Sequence, residues 1–430
     1  MTRIRQWLQR LPTVLLLFAI FVGLFPSSGL TQRGYYETRL GALAGPQSFS
    51  LSLWTVDAVA AKARQMLRGQ PGAGLTEDER QRIFDEFFAL ADEVNRLEGE
   101  IHDLANRGLT SADAEMADRE RQLSALRAAR AAQSVIVERI LEQQVQAILQ
   151  QEGTALAQVG HIFLPPVFFK LIDLPHVLIV AHRDRFEMRT QVAIRRAITS
   201  EQTEALEDAV DRELRVSSLL VPIGGYSTYP TMIAGTAPLD FVLGAITHEW
   251  CHIYLMFRPL GMAYGKDGEA TAMNETVCSI FGDDVAALVR ETYYGAEKQP
   301  RPWQTPPTPT PAPSQPRPRE EPQGFNANRE LRRIYLAAEE RLKTGDIAAA
   351  EQIMEEGRQL LAANGVYLRK LNQAFFAFYG SYAEGPDSIR PDFIGDDVRE
   401  LRRRSASLKD FFVTVSHMAS YDDLKRALGK

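Results

Sequence analysis

Apolar residues recur at intervals of three and four through two long stretches of this chain, 77–107 and 111–151. On an α-helix this spacing places them on one face, so each stretch predicts a long amphipathic helix. Thr76 and Glu79 match a capping box at the start of the first helix, and Gly108 separates the two. The pattern predicts an antiparallel hairpin of coiled-coil type. A partner-binding arm and a packing or spacing element both fit it, and charge-rich hairpins favour the second.

The N-terminus carries three arginines, Arg3, Arg5 and Arg10, followed by an uncharged stretch, 11–30. A helix of that length can just cross a bilayer, and the arginines place its N-terminal end in the cytoplasm. A cleaved signal peptide is the alternative, although no clean small-residue cleavage site follows. The sequence therefore predicts a single-pass membrane anchor with an extracytoplasmic body, or a secreted protein if the segment is cleaved.

A region rich in β-branched and aromatic residues begins near His161. The stretch 167–188 predicts two strands, 199–214 an amphipathic helix and 217–223 a further strand. The stretch 226–233 predicts an edge strand, because Pro230 cannot donate to a central ladder. With the helices, these strands predict an α+β fold that is mainly helical, with a small mixed sheet.

The stretch 247–253, THEWCHI, spells His-Glu-x-x-His on a predicted helix. Residues four apart lie on the same face of a helix, so His248 and His252 can place two imidazole nitrogens on one zinc ion. Glu249 lies beside that face and can act as a general base toward water at the metal. The neighbouring residues are uncharged, which suits a desolvated cation. The plainer alternative is a helix with two buried, hydrogen-bonded histidines and a coincidental glutamate.

A catalytic zinc site needs a third protein ligand, and the next predicted helix is 269–293. There the segment 274–279, NETVCS, resembles the third-ligand segment of gluzincins, the thermolysin-like zinc metallopeptidases. The resemblance covers 239–284 and implies gluzincin-like active-site helices. It also implies that Glu275 is the third ligand, that the cofactor is Zn²⁺, and that Glu249 is the catalytic residue in peptide-bond hydrolysis.

Several alternatives remain open around the third ligand. Glu269 and Asp267 are rivals for that position. Ser279 stands where thermolysin-like enzymes carry the aspartate that orients a histidine, so Asp283 or Asp284 is expected to do this instead. Glu275 is favoured because small residues flank both motifs and let two helices approach closely. These small residues are Gly244, Ala245, Cys251, Ala272, Cys278, Ser279 and Gly282.

Metzincins are excluded, because Leu255 and Arg258 stand where that class has Gly and His. Two cysteines, Cys251 and Cys278, do not make a disulfide framework. They could form one disulfide behind the metal, but buried free thiols are favoured because cysteine is among the most buried residue types.

The resemblance to gluzincins also implies a substrate platform, an edge strand just before the metal helix to which peptide adds as a further strand. The residues concerned are Gly225, Tyr226, Ser227 and Thr228. A plain edge strand shielded by Pro230 fits equally well. A tyrosine or histidine outside the metal helices is expected to stabilise the oxyanion. The candidates are Tyr379, Tyr382 and His417, each of which also suits a packing role.

A net charge of −6 gives no concentrated basic face, so nucleic acid is not an expected partner. The expected partners are a peptide or protein substrate and a membrane through the N-terminal segment. The rival function is a non-catalytic envelope scaffold or binding protein with a structural metal site. Cys251 or Asp267 would be the fourth ligand that closes such a site against water.

The predicted organisation has five parts. They are 1–30, a membrane anchor or signal; 31–157, a helical region with the hairpin; 158–296, the zinc metallopeptidase core; 297–325, a proline-rich linker; and 326–430, a C-terminal helical region. The aromatic run 375–382 suggests that the C-terminal helices return to the core. Deletion of 326–430 is therefore expected to abolish activity or folding.

Overall fold

The computed structural model describes residues 32–68, 71–72, 74–106, 113–159, 162–196, 198, 200–265, 268–295, 325–380 and 394–430. Within these ranges the chain is mainly helical, and its short strands form small sheets of mixed type. The predicted fold class is confirmed to this extent.

Most of the described residues lie in helices. The helices are α1 (Gln32–Ala44), α2 (Leu51–Arg68), α3 (Glu77–Asn106), α4 (Ala114–Gln151), α5 (Ser200–Leu214), α6 (Leu239–Leu255), α7 (Pro259–Ala263), α8 (Gly268–Tyr293), α9 (Ala327–Lys343), α10 (Ile347–Ala363), α11 (Gln373–Tyr379), α12 (Ile394–Arg404), α13 (Leu408–Ser416) and α14 (Tyr421–Leu428). The strands are β1 (Ala157–Val159), β2 (Ile162–Leu164), β3 (Phe169–Ile172), β4 (His176–Ala181), β5 (Met188–Ile194), β6 (Ser217–Val221), β7 (Gly225–Tyr226) and β8 (Thr231–Ala234).

Helices α3 and α4 form the predicted hairpin. The backbone N–H of Thr76 donates to the Glu79 carboxylate at 2.8 Å, and the Glu79 N–H donates to the Thr76 hydroxyl at 3.3 Å, so the capping box is present. Ion pairs join the two helices, and the partner residues follow one another in opposite directions along α3 and α4. Glu98 pairs with Arg127, and Glu100 pairs with Arg119, which makes the arrangement antiparallel. Val94, Leu97 and Leu123 are buried between the helices.

One antiparallel sheet has the strand order β5-β4-β6. Successive side chains of a strand point to opposite faces. Accordingly, Val177 and Ile179 pack against α9–α11, whereas Leu178 and Val180 pack with α1 and α5. The stretch 167–188 does contain two strands, as predicted. They belong to different sheets, however, because β4 pairs with β5 and β6 and β3 pairs elsewhere.

A second sheet has the order β3-β8-β7, with β3 parallel and β7 antiparallel to β8. The predicted single edge strand 226–233 is wrong in part. It divides into the two-residue edge strand β7 and the central strand β8, which begins directly after Pro230. This division follows from the missing N–H of proline, which a central ladder position would need.

Helices α6 and α8 lie in the main hydrophobic core with the last helices of the chain. The Phe412 ring of α13 stacks on Phe281 of α8 at 4.1 Å and contacts Tyr254 of α6 at 4.5 Å. The C-terminal helices therefore return to this core, as expected. They do so through α12–α14, because the aromatic residues of α11 pack against the sheet β5-β4-β6 instead.

No helix among the described residues is long and apolar enough to cross a membrane. This finding contradicts the predicted single-pass, membrane-anchored localisation. The stretch 11–30, on which that prediction depended, lies outside the described residues. The same is true of Asp267, Tyr382 and nearly all of the predicted linker 297–325.

Candidate metal centre

Helix α6 carries both motif histidines on one face. The helix begins after Pro238, and its apolar residues, among them Leu243 and Trp250, fix the buried side. His248 and His252 are half-buried, with their Nε2 atoms 3.1 Å apart. The predicted pair of imidazole nitrogens on one helix face is therefore present.

Helix α8 approaches α6 closely beside His248. The Thr247 hydroxyl donates to the Gly282 carbonyl at 3.0 Å and so connects the two helices. A Cβ atom added at Gly282 would lie 3.2 Å from both the Gly244 carbonyl oxygen and the His248 nitrogen. Of the small residues expected at the crossing, Gly282 is therefore one that this approach requires, whereas a Cβ atom added at Gly244 would meet nothing within 4 Å.

Glu275 of α8 points to both histidines. Its Oε2 atom lies 3.5 Å from His248 Nε2 and 3.5 Å from His252 Nε2. The side chain is buried, with only 7% of the residue exposed. Within the described residues, these three side chains form the one group whose donor atoms could share a metal ion. The predicted third ligand is therefore adjacent to the first two.

The three donor atoms fit a zinc ion. A point equidistant from atoms separated by 3.1, 3.5 and 3.5 Å lies roughly 2 Å from each, and zinc bonds to imidazole nitrogen and carboxylate oxygen are about 2.0–2.2 Å long. Two imidazoles and one carboxylate are also the donor types that zinc accepts in catalytic sites. The residues present consequently suit the metal in both spacing and chemistry.

The electrostatics of the cluster keep its carboxylate ionised. Burial raises the pKa of Glu275, but the two facing imidazoles outweigh it and hold that pKa well below its usual value. Burial likewise lowers the pKa of His252, but the facing Glu275 carboxylate outweighs it and raises that pKa to about 10. A divalent cation would compete with the proton on His252 for the same donor atoms.

Asn274 orients His252. The Nδ1–H of His252 donates to Asn274 Oδ1 at 2.8 Å, which turns Nε2 toward the cluster. The sequence predicted a carboxylate, Asp283 or Asp284, in such a role, whereas the partner of His252 is an amide. Asp284 pairs with Arg402 of α12 at 2.9 Å, and Asp283 is exposed. The sequence feature that could have identified Asn274 is its position directly before Glu275.

Tyr264, between α7 and α8, is a further residue that the sequence did not identify. Its hydroxyl donates to Glu275 Oε1 at 2.6 Å, and its ring meets the His252 ring edge-on with centroids 5.7 Å apart. No local pattern marks it, because its contact with Glu275 depends on how the α7–α8 connection folds back.

Both cysteines are free and fully buried, as favoured from the sequence. The Cys278 sulfur lies 3.5 Å from His252 Nδ1, on the side of the ring away from Nε2. Neither cysteine belongs to the group of donor atoms around Glu275, so Cys251 is not placed as a fourth ligand. Asp267, the other candidate, is not among the described residues.

Glu249 lies against the edge strand β7. The Ser227 hydroxyl donates to Glu249 Oε2, and a Cβ atom added at Gly225 would lie 2.7 Å from Oε1. Glycine at position 225 therefore lets the strand pass directly over the carboxylate. Of the predicted platform, Gly225 and Ser227 contact Glu249, Tyr226 packs toward α9–α11, and the Thr228 hydroxyl donates to the Pro230 carbonyl.

Two of the predicted oxyanion residues, Tyr379 and His417, have their contacts outside the cluster. Tyr379 packs on Phe375 in α11, and burial raises its pKa to about 12. The Nδ1–H of His417 donates to the Val413 carbonyl at 2.7 Å, while its Nε2 lies 3.4 Å from Arg258. Both residues therefore have packing or capping roles in the described part of the chain, and Tyr382 falls outside it.

Comparison of the chain with protein-family models, with curated proteins and with solved structures finds no match. The resemblance to gluzincins therefore still depends on its two motifs. The function proposed below is drawn from those motifs and from the geometry of the cluster.

Proposed function

We propose that this chain is a zinc-dependent peptidase with a gluzincin-like centre. His248, His252 and Glu275 would hold Zn²⁺. The observation that carries the proposal is the triangle of donor atoms, whose sides of 3.1, 3.5 and 3.5 Å suit one tetrahedral zinc ion. When bound, the ion supplies a Lewis acid that polarises a carbonyl oxygen and lowers the pKa of coordinated water.

Glu249 is the general base of the proposed reaction. It follows His248 directly, is half-buried, and carries a carboxylate fixed by the Ser227 hydroxyl. A base held in one orientation can accept a proton from water and pass it to the leaving amine. The Glu249 carboxylate is thus the group of this chain that would move the proton.

The edge strand β7 supports the peptide as substrate. The Ala234 N–H donates to the Gly224 carbonyl at 3.1 Å, and Gly225 is the next residue along, opposite Ile233. Hydrogen-bonded and non-bonded pairs alternate in an antiparallel ladder, so the N–H and C=O of Gly225 point away from β8. They face the open side of the sheet, where an extended peptide could add as a strand beside Glu249.

The number of protein ligands supports a catalytic rather than a structural site. Structural zinc sites take four protein ligands, whereas catalytic sites take three and keep one position open. Among the described residues, the group contains His248, His252 and Glu275. No observation favours the scaffold function over the peptidase.

Metal content and turnover of four variants test the proposal. His248→Ala and Glu275→Ala should lose stoichiometric zinc, because each removes a donor atom. Glu249→Gln should keep zinc but lose about 10²–10⁴-fold in kcat on unstructured peptides, because only the base is removed. Glu269→Gln is the matched control on α8 and should keep both zinc and activity.

Three results would contradict the proposal. A wild-type protein that takes up no zinc would contradict the proposed metal site. Zinc retained equally by wild type, His248→Ala and Glu275→Ala would show that the ligands lie elsewhere. Stoichiometric zinc with no peptide hydrolysis in the wild type would support the structural role instead.

A further inference from the structure

The two oxygens of the Glu275 carboxylate have different partners. Oε2 faces both imidazoles at 3.5 Å, whereas Oε1 accepts a hydrogen bond from the Tyr264 hydroxyl at 2.6 Å. A carboxylate can bind a cation through one oxygen or through both. The phenol occupies one of the two and so favours binding through Oε2 alone.

Three features of the connection between α6 and α8 place Tyr264 at this carboxylate. A Cβ atom added at Gly261 would lie 2.0 Å from the Leu255 carbonyl oxygen, so only glycine lets α7 fold back on the end of α6. Gly265 has a φ of 73°, a turn conformation that glycine adopts without strain. The Gly265 N–H donates to the Thr271 hydroxyl at 2.9 Å and fixes the turn to α8.

We propose that Tyr264 is a positioning residue that makes Glu275 a one-oxygen ligand and thereby keeps a coordination position of Zn²⁺ open. The inference rests on the proposed function, since it concerns the same metal. Residues that hydrogen-bond to metal ligands fix ligand orientation and tune affinity. An open fourth position is what separates a catalytic zinc site from a structural one. Tyr264 would therefore decide whether this zinc site is catalytic or structural.

The substitution Tyr264→Phe isolates the hydroxyl. It keeps the ring against His252 and removes only the donor to Oε1. The released oxygen can then turn toward the ion, which raises the coordination number. Tyr293→Phe is the matched control. Tyr293 is on α8 and is 43% exposed, against 42% for Tyr264, but its hydroxyl donates to no residue in the described part of the chain.

Two measurements on the full-length protein test the inference. In protein loaded with Co²⁺ in place of Zn²⁺, Tyr264→Phe should weaken the visible d–d bands, because tetrahedral Co²⁺ absorbs more strongly than five-coordinate Co²⁺. In competition with a chromophoric chelator, the Zn²⁺ Kd of Tyr264→Phe should rise about 10-fold, because the lost orientation of the carboxylate costs more than the second oxygen contributes. Tyr293→Phe should match the wild type in both.

The measurements distinguish failure of the proposed role of Tyr264 from failure of the proposed metal site. A Co²⁺ spectrum of Tyr264→Phe identical to that of the wild type would overturn the role of Tyr264 and leave the metal site standing. Wild-type protein that binds neither Co²⁺ nor Zn²⁺ would overturn both this inference and the proposed function.

Discussion

His252 is held at both of its ring nitrogens. Nε2 faces His248 and Glu275, while Nδ1–H donates to Asn274 Oδ1 at 2.8 Å. The second contact fixes the tautomer that leaves the Nε2 lone pair for a cation. The amide thus contributes to the site without being one of its proposed ligands.

The Asn274 contact gives a residue-scale prediction. Asn274→Ala removes the acceptor, so the His252 ring loses its orientation and the Zn²⁺ Kd should rise about 10–100-fold. Asn274→Asp is the matched control, because it keeps an acceptor oxygen at the same position and should bind Zn²⁺ at least as tightly as the wild type. Chelator competition measures both values. Equal affinity in Asn274→Ala and the wild type would show that the hydrogen bond does not position His252.

Helices α6 and α8 form the element that holds the three proposed ligands together. They are connected by the Thr247 hydroxyl, and at their crossing Gly282 faces the Gly244 carbonyl and the backbone of His248. The donor atoms of His248, His252 and Glu275 are only about as far apart as shared binding of one zinc ion requires. Any increase in the distance between the helices would therefore separate Glu275 from the histidines.

Two alanine substitutions test this packing. In Gly282→Ala the new methyl group meets backbone atoms at 3.2 Å, so the variant should lose about 1 kcal/mol of stability and bind Zn²⁺ more weakly. In Gly244→Ala the methyl group meets nothing within 4 Å and should add about 0.5–1 kcal/mol through helix propensity. Urea denaturation of the metal-free proteins gives both values. Similar stability changes in the two variants would refute the close-packing explanation.

At the scale of the whole molecule, the end of the chain packs against α6 and α8, the helices that carry the proposed metal ligands. Phe412 of α13 is fully buried against Phe281 and Tyr254, and Arg402 of α12 pairs with buried Asp284. Helices α9–α11 meanwhile cover one face of the sheet β5-β4-β6. Deletion of 326–430 would expose both surfaces, which supplies the physical reason for the expected loss of folding.

A point substitution tests this without truncating the chain. Phe412→Ala should cost about 3–5 kcal/mol of unfolding free energy, because it leaves a cavity between α6, α8 and α13. Val413→Ala, the next residue on the same helix, is 39% exposed and should change stability by less than about 0.5 kcal/mol. Urea denaturation measures both. A cost below about 1 kcal/mol for Phe412→Ala would mean that the C-terminal helices do not support the metal helices.

Local spacing explains what the sequence determined by itself. The hairpin of α3 and α4, the helical placement of His248 and His252, and the small residues around Gly244 and Gly282 follow from helix periodicity. The capping box follows from positions three residues apart. Each of these depends on neighbours along the chain, so no knowledge of the fold was required.

Contacts between distant segments were decided by tertiary structure alone. Strand β3 pairs with β8 rather than β4, and Asn274 and Tyr264 hydrogen-bond to residues proposed as metal ligands. Strand pairing, the closing of the α7–α8 turn and side-chain hydrogen bonds across helices depend on the packing of the whole core. That packing is set by many residues at once and leaves no short-range pattern in the sequence.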